Sequence, residues 1–433
     1  MVVALAGVLV LFGGLVLVVA TAAPAVLAGG GQSGTALAAE RIDLTTPAVA
    51  IATASAFGDA TPGSPEGSLA NSAEGDRAVA AVLADLQSFW NDQLSRGGGS
   101  GLRAPAGGYV SMDSTAASGR ALCISDPAQI AGNAFYCPQG DGIVFDSSAL
   151  VPVLLGSYGS AGLAAAFAHE FGHAVQAQVG PTADDRARDP GRYPSVLIEA
   201  QADCDAGAFL SWATSGATER VHIPPGSLVR AVAPLLDFRD PATVSPTDPV
   251  AHGLGLDRLN SLLTGFREGP AACPEMSIDT LPLTLGRAGV TTSPPSTLPR
   301  FPSTADALAA ATTSVTEFAG QLGSAVPAIT PDPADLELAA PLGQFAAAAA
   351  VALAAGRAVA PGDAGGAGSD VFAACFTGAW AASVFGHAGV DELGSWPTDA
   401  DEAMDLIRSR PGVSFDELAG YADGFVRGSA ACG

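Results

Sequence analysis

The chain contains no lysine: all 19 of its Lys+Arg positions are Arg, set against 43 Asp+Glu, for a net charge of −24. Absent lysine together with abundant Ala and Gly is a signature of genome composition rather than of function. The shortage of cations does exclude one class of partner, because nucleic-acid binding needs a basic face to displace counterions, so no nucleic acid is expected. Histidine is scarce, 5 among 433 residues. The 6 cysteines nowhere form a Cys-x-x-Cys spacing, which argues against a metal–thiolate site and leaves disulfides as the reading. Residues 2–28 carry no charge and are rich in Val, Leu and Ala, long enough to span a bilayer as a helix. No Lys or Arg precedes this run, so its orientation signal is weak. Small residues at Ala20-Thr21-Ala22 and Val26-Leu27-Ala28 also suit a cleaved signal peptide. An uncleaved membrane anchor is the preferred reading; both put the bulk of the chain outside the cytoplasm.

What is present divides into segments. Residues 29–75 are Gly, Ala, Ser, Thr and Pro with scattered acids, the composition of a flexible tether. Helical periodicity covers residues 77–94 and is broken at Gly97-Gly98-Gly99. Tyr109-Val110-Ser111 is a short strand candidate, and residues 133–137 and 142–146 form a hairpin pattern around Pro138-Gln139-Gly140-Asp141. Cys123 and Cys137 flank a loop that a local disulfide could close. An apolar helix over residues 161–179 stops at Gly180-Pro181, and a polar loop (182–192) leads to a second helix at 194–213. Further helices are expected at 228–238 and 254–266. Pro/Thr/Ser-rich sequence at 280–302 marks a boundary, and 303–433 is Ala-rich and mainly helical by periodicity.

Within the apolar helix stands His169-Glu170-Phe171-Gly172-His173. With so few histidines, a random H-E-x-x-H should arise in roughly one chain in several hundred. Residues four apart share a helix face, so both imidazoles can reach one metal ion while Glu170 polarises a bound water. Two packed core histidines beside a buried unpaired carboxylate would be costly among Ala, Phe and Val. A catalytic zinc needs one more protein ligand. Glu199 on the second helix is the candidate, and Asp203, four residues on, suits an outer carboxylate that accepts the other N–H of a ligand histidine. The alternative is an amphipathic helix with two solvated acids, but the neighbours from Val196 to Gly207 are mostly apolar or small.

Phe167-Ala168-His169-Glu170-Phe171-Gly172-His173-Ala174-Val175-Gln176, followed by Glu199-Ala200-Gln201-Ala202-Asp203-Cys204 and Ala206-Gly207, resembles the bacterial family of predicted neutral zinc metallopeptidases. Phe135-Tyr136-Cys137-Pro138 with Ile143-Val144-Phe145-Asp146 is similar to that family's strand pair. His252-Gly253, Arg258, Gly265-Phe266 and Cys273 are similar to its closing segment. The likeness covers residues 77–273; Ala200 departs from the family's usual Leu or Arg. The resemblance implies a gluzincin arrangement: Zn2+ held by His169, His173 and Glu199, Glu170 as general base, and a protein or peptide substrate. His252, in the family-like closing segment, is the candidate donor to the tetrahedral intermediate, with a merely structural histidine as the other reading. His222 and His387 lack a partner pattern and are read as structural.

The C-terminal third echoes the first domain. Gly265-Phe266 with Cys273 parallels Gly424-Phe425 with Cys432, and Cys204-Asp205-Ala206-Gly207 parallels Cys375-Phe376-Thr377-Gly378 in the same order. Extending the alignment sets Leu353, Ala354 and Arg357 against His169, Glu170 and His173, Asp370 against Glu199, and Ala374 against Asp203. Such a copy cannot bind zinc in this way. It predicts Cys204–Cys273 and Cys375–Cys432 as equivalent bridges, with Cys123–Cys137 local; accidental similarity between two Ala-rich helical regions is the competing reading.

The expectation is an α+β chain: an anchor or signal (1–28), a linker (29–75), a mostly helical zincin-like metallopeptidase domain with a small sheet (76–279), a linker (280–302) and a mainly α-helical degenerate repeat (303–433). The rival is a non-catalytic cell-envelope binding or scaffold protein with a structural metal. A zinc hydrolase of cell-wall amides is a further enzymatic alternative.

Overall fold

A computed structural model of the chain describes residues 40–46, 48–53, 74–241, 243–246, 248, 250–284, 301–362, 365–385, 393 and 398–433. The apolar segment 2–28, most of both linkers and His387 lie outside the described residues. The fold is mostly helical with a small sheet, hence α+β.

Strands β1 (Arg41–Ile42), β2 (Ala52–Thr53), β3 (Gly108–Met112), β4 (Ala134–Cys137), β5 (Gly142–Asp146) and β6 (Val221–His222) make two sheets. In the larger, of order β2-β3-β5-β4, β5 runs parallel to β3 and antiparallel to β4, with Tyr136 opposite Ile143. β1 pairs antiparallel with β6, Arg41 opposite His222. Two pieces of the stretch read as a flexible tether are thus strands. Two-residue strands carry no detectable period, and their partners lie far along the chain.

Helix α1 (Glu74–Ser95) is followed, after the sheet, by α2 (Leu150–Val153) and a π turn (Leu154–Tyr158) that runs into α3 (Gly159–Val179). The run Leu150–Val179 is long and apolar enough to cross a membrane, yet half of its apolar window is buried inside the protein. α3 is apolar because it is the central core helix. Phe167 packs edge-on against Phe145 of β5, ring centroids 5.3 Å apart, and Phe171 lies 6.5 Å from Tyr109 of β3. Gly180 ends α3 at φ +95°, its N–H closing on the Gln176 carbonyl at 2.8 Å. The polar loop read at 182–192 contains a short helix, α4 (Ala183–Arg188). Its capping box, Thr182 with Asp185, is a signal the sequence does carry.

α5 (Ser195–Thr214), α6 (Leu228–Asp237) and α7 (Gly255–Glu268) complete the first part. α5 and α7 approach backbone to backbone. A Cβ on Gly207 would run into the Leu262 carbonyl oxygen, and one on Gly265 into that of Cys204. The Cys204–Cys273 disulfide joins α5 to the 3-10 turn (Pro270–Glu275) that follows α7, Cα atoms 5.5 Å apart. The later part holds α8 (Thr304–Gln321), α9 (Pro333–Ala339), α10 (Gln344–Val359), α11 (Gly365–Val384), α12 (Asp399–Ser409) and α13 (Phe415–Arg427). Cys375 is bonded to Cys432, Cα atoms 5.4 Å apart, and Cys123 to Cys137. α11 and α13 also meet through glycines, Gly378 against the Tyr421 carbonyl and Gly424 against that of Cys375.

Neither helix pair can open to admit a methyl group without losing buried contacts. Gly265→Ala and Gly424→Ala should each lower stability by about 1–3 kcal/mol or more. Gly320→Ala, at the end of α8 with open space around it, should be neutral or slightly stabilising. Thermal unfolding midpoints of the three variants check this.

Candidate metal centre

α3 and α5 cross at Gly172, where a Cβ would lie 3.1 Å from the Ala202 Cα. That proximity brings His169 and His173 of α3 to Glu199 of α5. Glu199 Oε2 is 3.1 Å from His169 Nε2 and 3.5 Å from His173 Nε2. The two rings are nearly perpendicular, centroids 5.0 Å apart. One ligand atom from each of the three residues lies within 4.8 Å of the others.

The outer hydrogen bonds define what those atoms offer. His169 Nδ1 stands 2.8 Å from Asp203 Oδ1, and His173 Nδ1 stands 3.0 Å from Gln176 Oε1. The Gln176 amide nitrogen donates to the Ile198 carbonyl at 2.8 Å, so its oxygen faces the ring and Nδ1 is the donor. In the neutral imidazoles both protons then sit on Nδ1, and both Nε2 lone pairs point at Glu199. Glu199 Oε2 is buried and has no hydrogen-bond donor. With both rings neutral, three electron-pair donors face one another and repel; a proton on His169 or a divalent cation resolves the arrangement, and two imidazoles with one carboxylate are a donor set that suits zinc.

Asp203 is fully buried and accepts from three sides: His169, Arg258 Nε at 2.9 Å and a terminal Arg258 nitrogen at 2.8 Å. Burial alone would raise its pKa, but Arg258 and His169 hold it below the usual carboxylate range. Burial likewise opposes a charge on His169, yet Asp203 and Glu199 outweigh it and push the ring up to about 10 in the metal-free protein. Glu170, half-buried, is pushed up by burial, while His169 and His173 pull it down. Its carboxylate has no hydrogen-bond or ion-pair partner among the described residues.

His252 lies between α6 and α7, 37% exposed at its side chain. Its backbone N–H donates to Asp240 Oδ2 at 2.5 Å, as does that of Gly253 at 2.8 Å. Its Nδ1 stands 3.4 Å from Asp240 Oδ1. Burial lowers its pKa, but the charges of Glu199 and Asp240 and the Asp240 hydrogen bond outweigh that and raise it above the ordinary imidazole value. His222 lies on β6 opposite Arg41, outside this group.

Sequence reasoning gave no role to Gln176, Arg258, Asp240 or Arg186. Gln176 sits one turn after His173 on the same helix, a spacing that could have identified it. Arg186 of α4 is half-buried yet has no carboxylate partner among the described residues; burial lowers its pKa, and Glu199 and Tyr136 act against that. The stretches holding Asp240 and Arg258 meet the metal helices only through tertiary folding.

No curated protein and no solved structure matches the chain. A family model does: the one described as "Putative neutral zinc metallopeptidase" matches residues 36–275. More than half of the chain lies in that match, which takes in both metal helices and the His252–Cys273 segment, and the donor set fits its metal. The chain belongs to the neutral zinc metallopeptidase family.

Proposed function

We propose that the chain is an extracytoplasmic zinc endopeptidase of gluzincin type, with His169, His173 and Glu199 as ligands and Glu170 as general base. The observation that carries this reading is a set of three converging lone-pair donors beside a half-buried carboxylate with no other partner. Bound zinc supplies Lewis-acid polarisation of water and of the peptide carbonyl. Glu170 takes the proton of the attacking water and returns it to the leaving amine. His252 donates to the carbonyl oxygen as negative charge develops there. Asp203 keeps the His169 proton on Nδ1 and turns Nε2 to the metal. The three disulfides support an oxidising compartment, which agrees with an anchor or signal at residues 2–28.

Residues 303–433 are read as a second copy without a zinc site. The matched glycine contacts and the matched bridges Cys204–Cys273 and Cys375–Cys432 support this. So does Gly356, where a Cβ would lie 2.7 Å from the Ala373 Cα, as Gly172 meets Ala202. In that register Leu353, Ala354 and Arg357 take the positions of His169, Glu170 and His173. Arg357 Nε bonds to Asp370 Oδ1 at 2.9 Å, a guanidinium where the first copy has a ligand histidine beside Glu199.

Glu170→Gln keeps the shape and removes the base. It should retain zinc and lose about 10²–10⁴-fold in kcat on casein or an unstructured peptide, with mass spectrometry of wild-type products showing internal cleavage. If zinc is retained and neither protein cleaves any peptide, the reading as a non-catalytic envelope protein with a structural metal replaces this one.

Elemental analysis should give one zinc per chain, and none in His169→Ala/His173→Ala. Because His169 is held up to about 10 without metal, zinc must displace a proton from it at neutral pH. Acidification favours the protonated ring, so affinity should drop about tenfold per pH unit across the neutral range. Chelator competition at several pH values measures the slope; a flat profile would contradict the assignment.

A further inference from the structure

α7 starts without a cap of its own: Leu254 is its N-cap residue and offers no side-chain acceptor. Its orphan amides are satisfied from far along the chain. Asp401 of α12 accepts from Gly255 N at 2.9 Å and from Leu256 N at 2.8 Å. Gly255 lies against the side-chain ends of Met404 and Arg239, and a Cβ there would meet Met404 Cε at 2.8 Å. One turn into α7, Arg258 reaches back to Asp203, which holds His169.

A second route leaves the same helix. Asp405 grips Arg239 with bonds of 3.1 and 2.7 Å, and Asp401 lies 3.3 Å from Arg239 Nε. The next residue, Asp240, holds the His252 and Gly253 amides, and its own N–H donates to the Gly253 carbonyl at 3.0 Å. Asp405 also pairs with Arg408, which in turn pairs with Asp237 at the end of α6. Both ends of the segment that carries His252 and Arg258 are therefore fastened to one face of α12. The family match ends at residue 275, so this clamp is outside the part of the chain that carries the motifs.

We propose that Asp401 and Asp405 are positioning residues for the metal centre, and that the C-terminal third works as a clamp that aligns Arg258 on Asp203 and presents His252. The inference rests on the reading of His169, His173 and Glu199 as ligands, and it assigns the zinc-less part of the chain a role in that site. A mere glue between two halves would make every contact across the boundary equivalent. The Arg267–Asp423 pair, with bonds of 2.8 Å, joins α7 to α13 at the far end of α7 and serves as the comparison.

The test uses the full chain as wild type, Asp401→Ala and Asp423→Ala, each checked for fold by circular dichroism. Histidine ring NMR signals of the metal-free proteins give a readout that needs neither metal nor activity, and only five rings require assignment. In Asp401→Ala the His169 and His252 signals should move while His222 stays. Cobalt affinity should weaken, by less than the 10–100-fold typical of losing a direct partner of a ligand. On peptide, kcat should fall severalfold with KM little changed. Asp423→Ala should match wild type in all three. The inference is overturned if folded Asp401→Ala leaves the His169 and His252 rings unmoved, or if Asp423→Ala disturbs them equally. If Asp401→Ala does not fold, Asp401→Asn, which keeps one acceptor oxygen, decides by the same ring signals. A wild type that binds cobalt but cleaves nothing defeats the peptidase reading and leaves the ring comparison valid.

Discussion

The position of the metal helices depends on one buried carboxylate. Asp203 is inaccessible to solvent and must be matched by charge and hydrogen bonds. Arg258 from α7 supplies two and His169 from α3 a third. Removing one partner of such a pair costs about 3–5 kcal/mol, because the other charge stays buried and uncompensated. α3, α5 and α7 are thus held in one relative arrangement, and the glycine contacts between α5 and α7 allow no other spacing. Glu199, one turn before Asp203 on the same rigid helix, inherits that precision. The alignment of Glu199 on the two imidazoles follows from packing that lies behind it.

The same interaction sets the electrostatics. Glu199 and Asp203 bring two negative charges close to the ligand atoms, and Arg258 cancels one. A divalent cation at this point keeps excess positive charge, which is what polarising a carbonyl requires. The two histidines are not supported alike. His169 leans on a carboxylate and His173 on the neutral amide of Gln176, so of the two rings only His169 gains basicity from a charged partner. A second carboxylate in place of Gln176 would neutralise the site further and blunt the metal as an acid. The Gln176 amide is also spent on the Ile198 carbonyl, one residue before Glu199. It therefore fixes ring and ligand helix together.

How much of this was legible in the sequence follows from how local each signal is. His169 and His173 are four apart on one helix, as are Glu199 and Asp203, and helical periodicity alone sets each pair on a common face. Residues 133–137 and 142–146 declared a hairpin because both strands and their turn are contiguous, and β4 and β5 pair there. β1 and β2 were hidden because two residues show no alternation and their partners are distant. α4 is masked in the sequence because its polar composition outweighs the capping box that starts it. Arg258 could be noticed as a motif residue but not assigned a partner, since nothing in the spacing of residues 203 and 258 brings them together. Asp401 is the extreme case: a carboxylate capping a helix some 145 positions earlier leaves no trace in local pattern.

If residues 303–433 are a second copy, the comparison shows what a metal does for such a helix crossing. In the first copy, three lone-pair donors face one another, and the crossing is at ease only with a bound cation or with protons on the rings. In the second, Arg357 brings a permanent cation on a covalent stem, bonded to Asp370 and also to Asp335 at 3.1 Å, while Arg410 adds bonds to Asp370 and Glu417. That crossing is balanced at any metal concentration and carries no open coordination position. Zinc stabilises only a state that binds it, so the linkage between metal and folding acts on the first crossing alone. A body whose stability does not follow the metal is the appropriate platform from which to hold the segment bearing His252 and Arg258.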